Sequence, residues 1–332
     1  RAGQGINGAG GLLGRLGQTT TFNTGSTPQG ALATLHRALE RAPVALRGPV
    51  APGETEAVAA LTRERRVLQI AASTEGTPLG ATLLLTSPGG AGRMAMLASW
   101  LASDLRITRV ALLATPAQGR LASLLAAACR ARQVQPVADL TLPPPGAPHE
   151  EAADLPRLLA RIQATGPQAL FIGAGGALAA RIIRAARQLA PDLVLFGTAE
   201  LLAPAVLEAA GDAALGLRSF TGLPPEAPIG PLEDFRTSYL SQYHAEPDAL
   251  AMQGYIALSM LQAALQMTAP AAPTGPTLAA ALRAATLRAA LWPGILLDTS
   301  WDAAGQPHRA AFVAEVLPAN GLGWSVVPPL RS

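Results

Sequence analysis

Residues with reactive side chains are sparse in this 332-residue chain, and their order does not spell a catalytic constellation. Cys129 is the only cysteine. It cannot close an internal disulfide, and in Leu124-Leu125-Ala126-Ala127-Ala128-Cys129 it falls on the apolar pattern of a helix, where a small buried thiol is a simpler reading than a nucleophile. The four histidines, His36, His149, His244 and His308, have no metal-ligand spacing. No Ser-His-Asp order, phosphate loop or paired carboxylate falls at a strand end, so the pattern argues against an enzyme. The glycine-rich run at 5–15 lacks the preceding strand and following helix of a dinucleotide fingerprint. It reads as a helix end turning into an edge strand at 18–22. What remains is the chemistry of backbone amides and hydroxyls in two loops, 48–55 and 71–76.

Those loops owe their candidacy to the elements around them. Residues 44–49 and 67–74 are short apolar runs separated by a helical stretch at 53–66, the pattern of a right-handed β-α-β unit. Ligands of open parallel sheets sit just outside the carboxyl ends of the strands, where both loops fall. The residues around them bound the rest of the reading. Apolar residues make up 49% of the chain, aromatics 4% and charges 14%, so the cores must be built from Ala, Leu and Val. The length fits two lobes. Every cation is Arg, the net charge is only +3, and the arginines are dispersed among acids, which argues against nucleic-acid binding. No apolar run approaches the ~18 residues of a membrane span, and Arg1-Ala2-Gly3-Gln4 lacks the apolar core of a signal peptide.

Along the chain, a helix is predicted at 29–41, then the β-α-β unit, a strand at 82–86 and a helix at 93–103. Strands at 107–114 and 134–142 flank a helix at 118–132, and Pro143-Pro144-Pro145-Gly146-Ala147-Pro148 is a stiff connector. Helices at 152–165, 178–190 and 201–210 then alternate with strands at 169–172, 193–196 and 215–221, which predicts a second parallel sheet covered on both faces. The rhythm breaks at 222–228. Three helices follow without strands, at 232–242, 249–267 and 277–285, and late strands are predicted at 294–298, 311–317 and 324–327, with a turn at 302–305.

In this order, several stretches resemble the type I periplasmic solute-binding proteins of the branched-chain amino acid (Leu/Ile/Val) ABC transporter class. They are Ile6-Asn7-Gly8-Ala9-Gly10-Gly11-Leu12-Leu13-Gly14-Arg15, Gly48-Pro49, the small polar segment 71–76, Gly211-Asp212-Ala213-Ala214-Leu215-Gly216, Phe235 with Tyr239, Pro247-Asp248, and Tyr255-Ile256-Ala257. The resemblance implies an α/β fold of two Rossmann-like lobes with parallel sheets and a three-crossover hinge. Lobe one is expected to comprise 1–115 and 223–298, and lobe two 116–222 and 299–332. Family members begin with a strand and a long helix before the Ile-Asn motif, so the first strand of lobe one reads as missing from the numbered residues, as does a signal peptide.

The implied function is that of an extracytoplasmic, periplasmic binding component that takes a small polar ligand in the inter-lobe cleft and presents it to a membrane permease, without a cofactor. A same-fold ligand sensor or a lipoprotein-type activator of cell-wall synthesis is the alternative. Carried over from the family, Pro52 and Gly53 stand where a hydroxyl commonly sits, leaving backbone amides, and Ser73 and Thr74 fall in the second carboxylate-binding loop. Gln118, Gly175 and Gly176 replace residues that are often aromatic, which implies a roomier site than one for leucine. Thr198 and Glu200 follow the next strand, with Glu200 as the candidate partner of a ligand ammonium. Simpler roles fit the same residues: Ser73 and Thr74 as turn caps, Gly175-Gly176 as a strand-to-helix turn, and Glu200 as a first-turn carboxylate favoured by a helix dipole.

Overall fold

The computed structural model describes residues 17–72, 80–142, 155–269 and 273–328, and they form two compact units. Unit 1 combines residues 1–90 with 223–310, and unit 2 combines 91–222 with 311–332. Each unit is therefore assembled from two separate stretches of sequence.

Unit 1 opens with α1 (Pro28–Leu39), whose N-cap Thr27 accepts from the amide of Gly30 at 3.0 Å. Then come β1 (Ala45–Arg47), α2 (Pro52–Glu64), β2 (Leu68–Ala71) and β3 (Leu83–Leu85), whose three strands pair in parallel in the order β1-β2-β3. All four residues of β2 are buried, which accounts for its nearly continuous apolar sequence. The exception is Gln69, and its amide is fully satisfied: it accepts from Thr62 Oγ1 at 2.9 Å and donates to the carbonyls of Gly48 at 3.3 Å and Thr55 at 3.5 Å. The helices α8 (Gly230–Tyr243), α9 (Ala249–Thr268) and α10 (Gly275–Ala284) return to this unit, where α9 contacts β1 and α10 contacts β2. Strands β9 (Ser300–Trp301) and β10 (Pro307–His308) form a hairpin that completes β3: Trp301 Nε1 donates to the Leu85 carbonyl at 2.8 Å, and the Leu85 amide donates to the Gly305 carbonyl at 3.0 Å. Gly305 has φ +81°, and a Cβ there would lie 2.1 Å from the Leu83 carbonyl oxygen, so the close approach requires glycine.

Unit 2 contains a seven-stranded sheet in the order β12-β11-β8-β7-β6-β4-β5. Its elements are α3 (Gly90–Ser103), β4 (Arg109–Ala114), α4 (Gly119–Arg130), β5 (Gln135–Thr141), α5 (Leu155–Ala164), β6 (Ala169–Gly173), α6 (Gly176–Leu189), β7 (Val194–Thr198), α7 (Pro204–Ala210) and β8 (Arg218–Gly222). The antiparallel strands β11 (Ala311–Val316) and β12 (Leu322–Val327) close one edge. Alternate residues of β4 divide the core: Val110 and Leu112 pack with Leu97 of α3 and Leu125 of α4, while Ala111 and Leu113 pack with Leu159 of α5 and Ile183 of α6. Cys129 sits in the first of these layers at 0% exposure, and burial pushes its thiol up to about 11, so it is protonated and inert at neutral pH.

Four expectations differ from the structure. Strand β4 and helix α3, expected in lobe one, belong to unit 2, because β4 pairs with both β5 and β6; the division falls after residue 90 and after 310 rather than at 115 and 298. Residues 18–22 form no strand; this segment is tethered from its flanks, with Thr34 Oγ1 donating to the Asn23 carbonyl at 3.1 Å. Residues 294–298 form no strand either; pairing begins with the bridge of Thr299 to Leu287 and the strand at Ser300, followed by the turn in which Gly305 N–H bonds the Asp302 carbonyl at 3.0 Å. The helix expected at 201–210 is broken into a 3₁₀ turn (Ala199–Leu202) and α7, since Pro204 holds the preceding Ala203 extended. The Ile-Asn motif at 6–15 and the Pro-rich connector at 143–148 lie outside the described residues.

Candidate functional site

Strands β4, β6 and β7 are neighbours and run in parallel, so their carboxyl ends open on the same edge of the sheet. Each strand is followed by a short non-helical step. After β4 the chain makes a 3₁₀ turn (Pro116–Gln118) that sets Gln118 in front of α4. After β6 it passes through Gly175, extended at φ −127°, into Gly176 at φ +56° and the first turn of α6. After β7, Thr198 leads into the 3₁₀ turn (Ala199–Leu202) that carries Glu200. Side chains on elements distant in sequence meet here: Gln118 Nε2 donates to Glu200 Oε1 at 3.2 Å. The other oxygen of Glu200 lies beside Gly175, where an added Cβ would come within 3.0 Å of Oε2. Glu200 and Gly176 are exposed, Gln118, Gly175 and Thr198 half-buried. The backbone carbonyl of Thr198 is fixed by Ser219 Oγ at 2.6 Å.

Five of the residues singled out in the sequence, Gln118, Gly175, Gly176, Thr198 and Glu200, are thus brought together at one sheet edge of unit 2. The direct pairing of Gln118 with Glu200 was not read from the sequence. The available signal was that both follow apolar strand runs, but adjacency of β4, β6 and β7 depends on strand order. Pro52 and Gly53 occupy the first turn of α2 in unit 1, whose N-cap, Ala51, offers no side-chain acceptor. The nearby Thr55 hydroxyl is committed to the Ala51 and Pro49 carbonyls at 3.0 and 3.3 Å. Ser73 and Thr74 lie outside the described residues. Among the described residues no group of three or more His, Cys, Asp or Glu side chains is arranged to hold a metal.

An exposed carboxylate, an amide partner and two glycines thus stand together at the mouth of a parallel sheet. A family model described as periplasmic binding protein matches residues 3–321. The chain belongs to the periplasmic binding protein family. Solved structures share the fold of this binding protein throughout its length. One is a branched-chain amino acid ABC transporter protein of Rhodospirillum rubrum, 21% identical, covering 97% of this chain and 91% of its own, with a TM-score of 0.81. A branched-chain amino acid transporter substrate-binding protein of Streptococcus pneumoniae in complex with isoleucine is 19% identical over 99% of this chain and 92% of its own, with a TM-score of 0.73. A solute-binding protein of R. palustris in complex with benzoate is 19% identical over 100% of this chain and 91% of its own, at 0.70. No curated protein matches the chain. Among the described residues, no helix of this binding protein is long and apolar enough to cross a membrane.

Proposed function

We propose that this periplasmic binding protein is the substrate-binding component of an ABC transporter, works outside the cytoplasmic membrane and hands a small ligand, an amino acid or related carboxylate, to a membrane permease. Family membership and the roles of the fold relatives support the transport reading. The observation that carries the ligand class is the Glu200 carboxylate, oriented by Gln118 at 3.2 Å and flanked by a residue without a side chain. A carboxylate so placed attracts an ammonium or other donor and repels a second carboxylate. Of the two ligand types named for the relatives, an amino acid offers an ammonium to Glu200 and a benzoate does not. Gly53, through its backbone N–H in the first turn of α2, together with Ser73 and Thr74, is the proposed contact for the ligand carboxylate, with Pro52, which has no N–H to give, shaping the turn beside it. With Gln118, Gly175 and Gly176 at positions that rings often fill, the site is expected to prefer side chains larger than leucine. Calorimetric titration with a panel of amino acids and benzoate tests this. Saturable binding of an ammonium-bearing ligand larger than leucine, with none of benzoate, is the expected outcome. Preference for benzoate, or tight selective binding of leucine or valine, would overturn the ligand assignment.

A further inference from the structure

Gly173, Gly175 and Gly197 stand where β6 and β7 end, and each leaves a gap that a particular neighbour fills. A Cβ on Gly173 would lie 2.7 Å from the Cβ of Ala114; the gap lets the ends of β4 and β6 close up, and the Thr115 amide donates to the Gly173 carbonyl at 2.8 Å. A Cβ on Gly197 would lie 2.6 Å from Leu201 Cδ1, because Leu201 folds back over it at 0% exposure and anchors the 3₁₀ turn that carries Glu200. Gly175 differs in one respect. Its φ of −127° and ψ of 177° are ordinary extended backbone that any residue adopts, so conformation does not call for glycine there. What it provides is space, and the atom nearest that space is Glu200 Oε2, 3.0 Å from where a Cβ would stand.

The backbone on either side of Glu200 is fixed by Ser219 Oγ, which donates to the Thr198 carbonyl at 2.6 Å, and by the buried Leu201. Its side-chain torsions are then set by two contacts: Gln118 Nε2 on Oε1 at 3.2 Å, and the bare face of Gly175 beside Oε2. Gln118 is itself placed by the turn after β4, where its backbone N–H donates to the Thr115 carbonyl at 3.0 Å. Reversing its side-chain amide would set oxygen against oxygen, so charge dictates that Nε2 faces the carboxylate. An exposed carboxylate without such supports spreads over several rotamers, and a ligand that must order it on binding is held less tightly.

We propose that Gly175 is a positioning residue for ligand recognition: the gap left by its missing side chain seats the Glu200 carboxylate, and through that seat it makes the site select an ammonium. This rests on the reading of Glu200 as the partner of a ligand ammonium. The two neighbouring glycines then divide the room that a ring would take. Gly175 gives its share to Glu200, whereas a Cβ on Gly176 would meet nothing within 4 Å among the described residues, so the open side of the step lies at Gly176. The atom that a side chain at 175 would displace is the tip of a flexible chain. It can swing away, so such a substitution moves the carboxylate without straining the fold.

The test compares the wild type with Gly175→Ala and Gly175→Val by calorimetry on L-phenylalanine and on 3-phenylpropanoate, which has the same ring and carboxylate but no ammonium. Affinity for phenylalanine should fall in the order Gly, Ala, Val, by at least about tenfold at valine, since a charge-assisted hydrogen bond is lost. 3-Phenylpropanoate should bind the variants as it binds the wild type, and the melting temperature should barely move. Equal losses for both probes would mean that the gap at 175 holds the ring of the ligand, and would overturn the proposal. A second measurement needs no ligand: the side-chain amide signals of Gln118 in the nuclear magnetic resonance spectrum, identified by their loss in Gln118→Ala. Their positions in Glu200→Ala mark the broken contact, and Gly175→Val should move them there. Signals that keep their wild-type positions overturn the seat, whatever the ligands do. If the wild type shows no preference for phenylalanine, it is the ammonium reading of Glu200 that fails, and the amide signals alone decide the seat.

Discussion

Glu200 separates the functional and the merely structural reading of one side chain. As the carboxylate of a 3₁₀ turn it gains little from a dipole, since the turn spans only Ala199–Leu202 and the side chain is exposed. As the partner of a ligand ammonium it would contribute a charge-assisted hydrogen bond of about 1.5–3 kcal/mol. Glu200→Gln keeps the shape and the contact with Gln118 but removes the charge. Affinity should fall at least about tenfold, the equivalent of ~1.4 kcal/mol, with the melting temperature nearly unchanged. Calorimetry and a thermal melt on the same sample decide it: unchanged affinity with a lowered melting point leaves only the structural role. Glu200 was marked through the family resemblance, which puts the acidic partner of a ligand ammonium just after Gly197-Thr198.

At the scale of elements, β2 carries the sharpest dependence on a single polar group. Gln69 joins α2 to the start of the loop after β1, through Thr62 and the carbonyls of Gly48 and Thr55. Gln69→Ala should cost about 1–3 kcal/mol for each buried partner left unmet, read as a lowered denaturant midpoint with unchanged slope. A loss below ~0.5 kcal/mol would mean that the network is dispensable. The helices and most parallel strands of both units were legible because each repeats its apolar residues at one period over a long enough run. The misread elements share a different property. Thr19, Thr20 and Thr21 have the side chains of a strand, and Ile295 and Leu296 are as buried as strand residues, yet pairing needs a partner and a register that composition does not carry. The same limit explains why five site residues could be named singly while the contact between Gln118 and Glu200 could not.

Across the whole molecule, the alternation of helix and strand predicted two units, and the end of that alternation near residue 222 coincides with a division between them. The first division was placed too late, because β4 has the same apolar character in either sheet and only its pairing with β5 and β6 assigns it. The interleaving of the units has a consequence for synthesis. Translation delivers Ala91–Gly222 as one uninterrupted stretch holding all five parallel strands of the larger sheet, whereas β1–β3 must wait for α8–α10 and for the hairpin that bonds Leu85. At about 5–20 residues per second, the ribosome spends on the order of ten seconds between the two halves of unit 1. Proteolysis of nascent chains stalled after α9 should therefore spare 91–222 and cut within 28–90, and equal protection of both would contradict this order. During that interval Leu83, Leu84 and Leu85, each no more than 2% exposed in the finished protein, lack the cover that the later segment brings. Residues 83–85 are made before the larger sheet and sheltered after it, and it is there that a chaperone would find its longest opportunity.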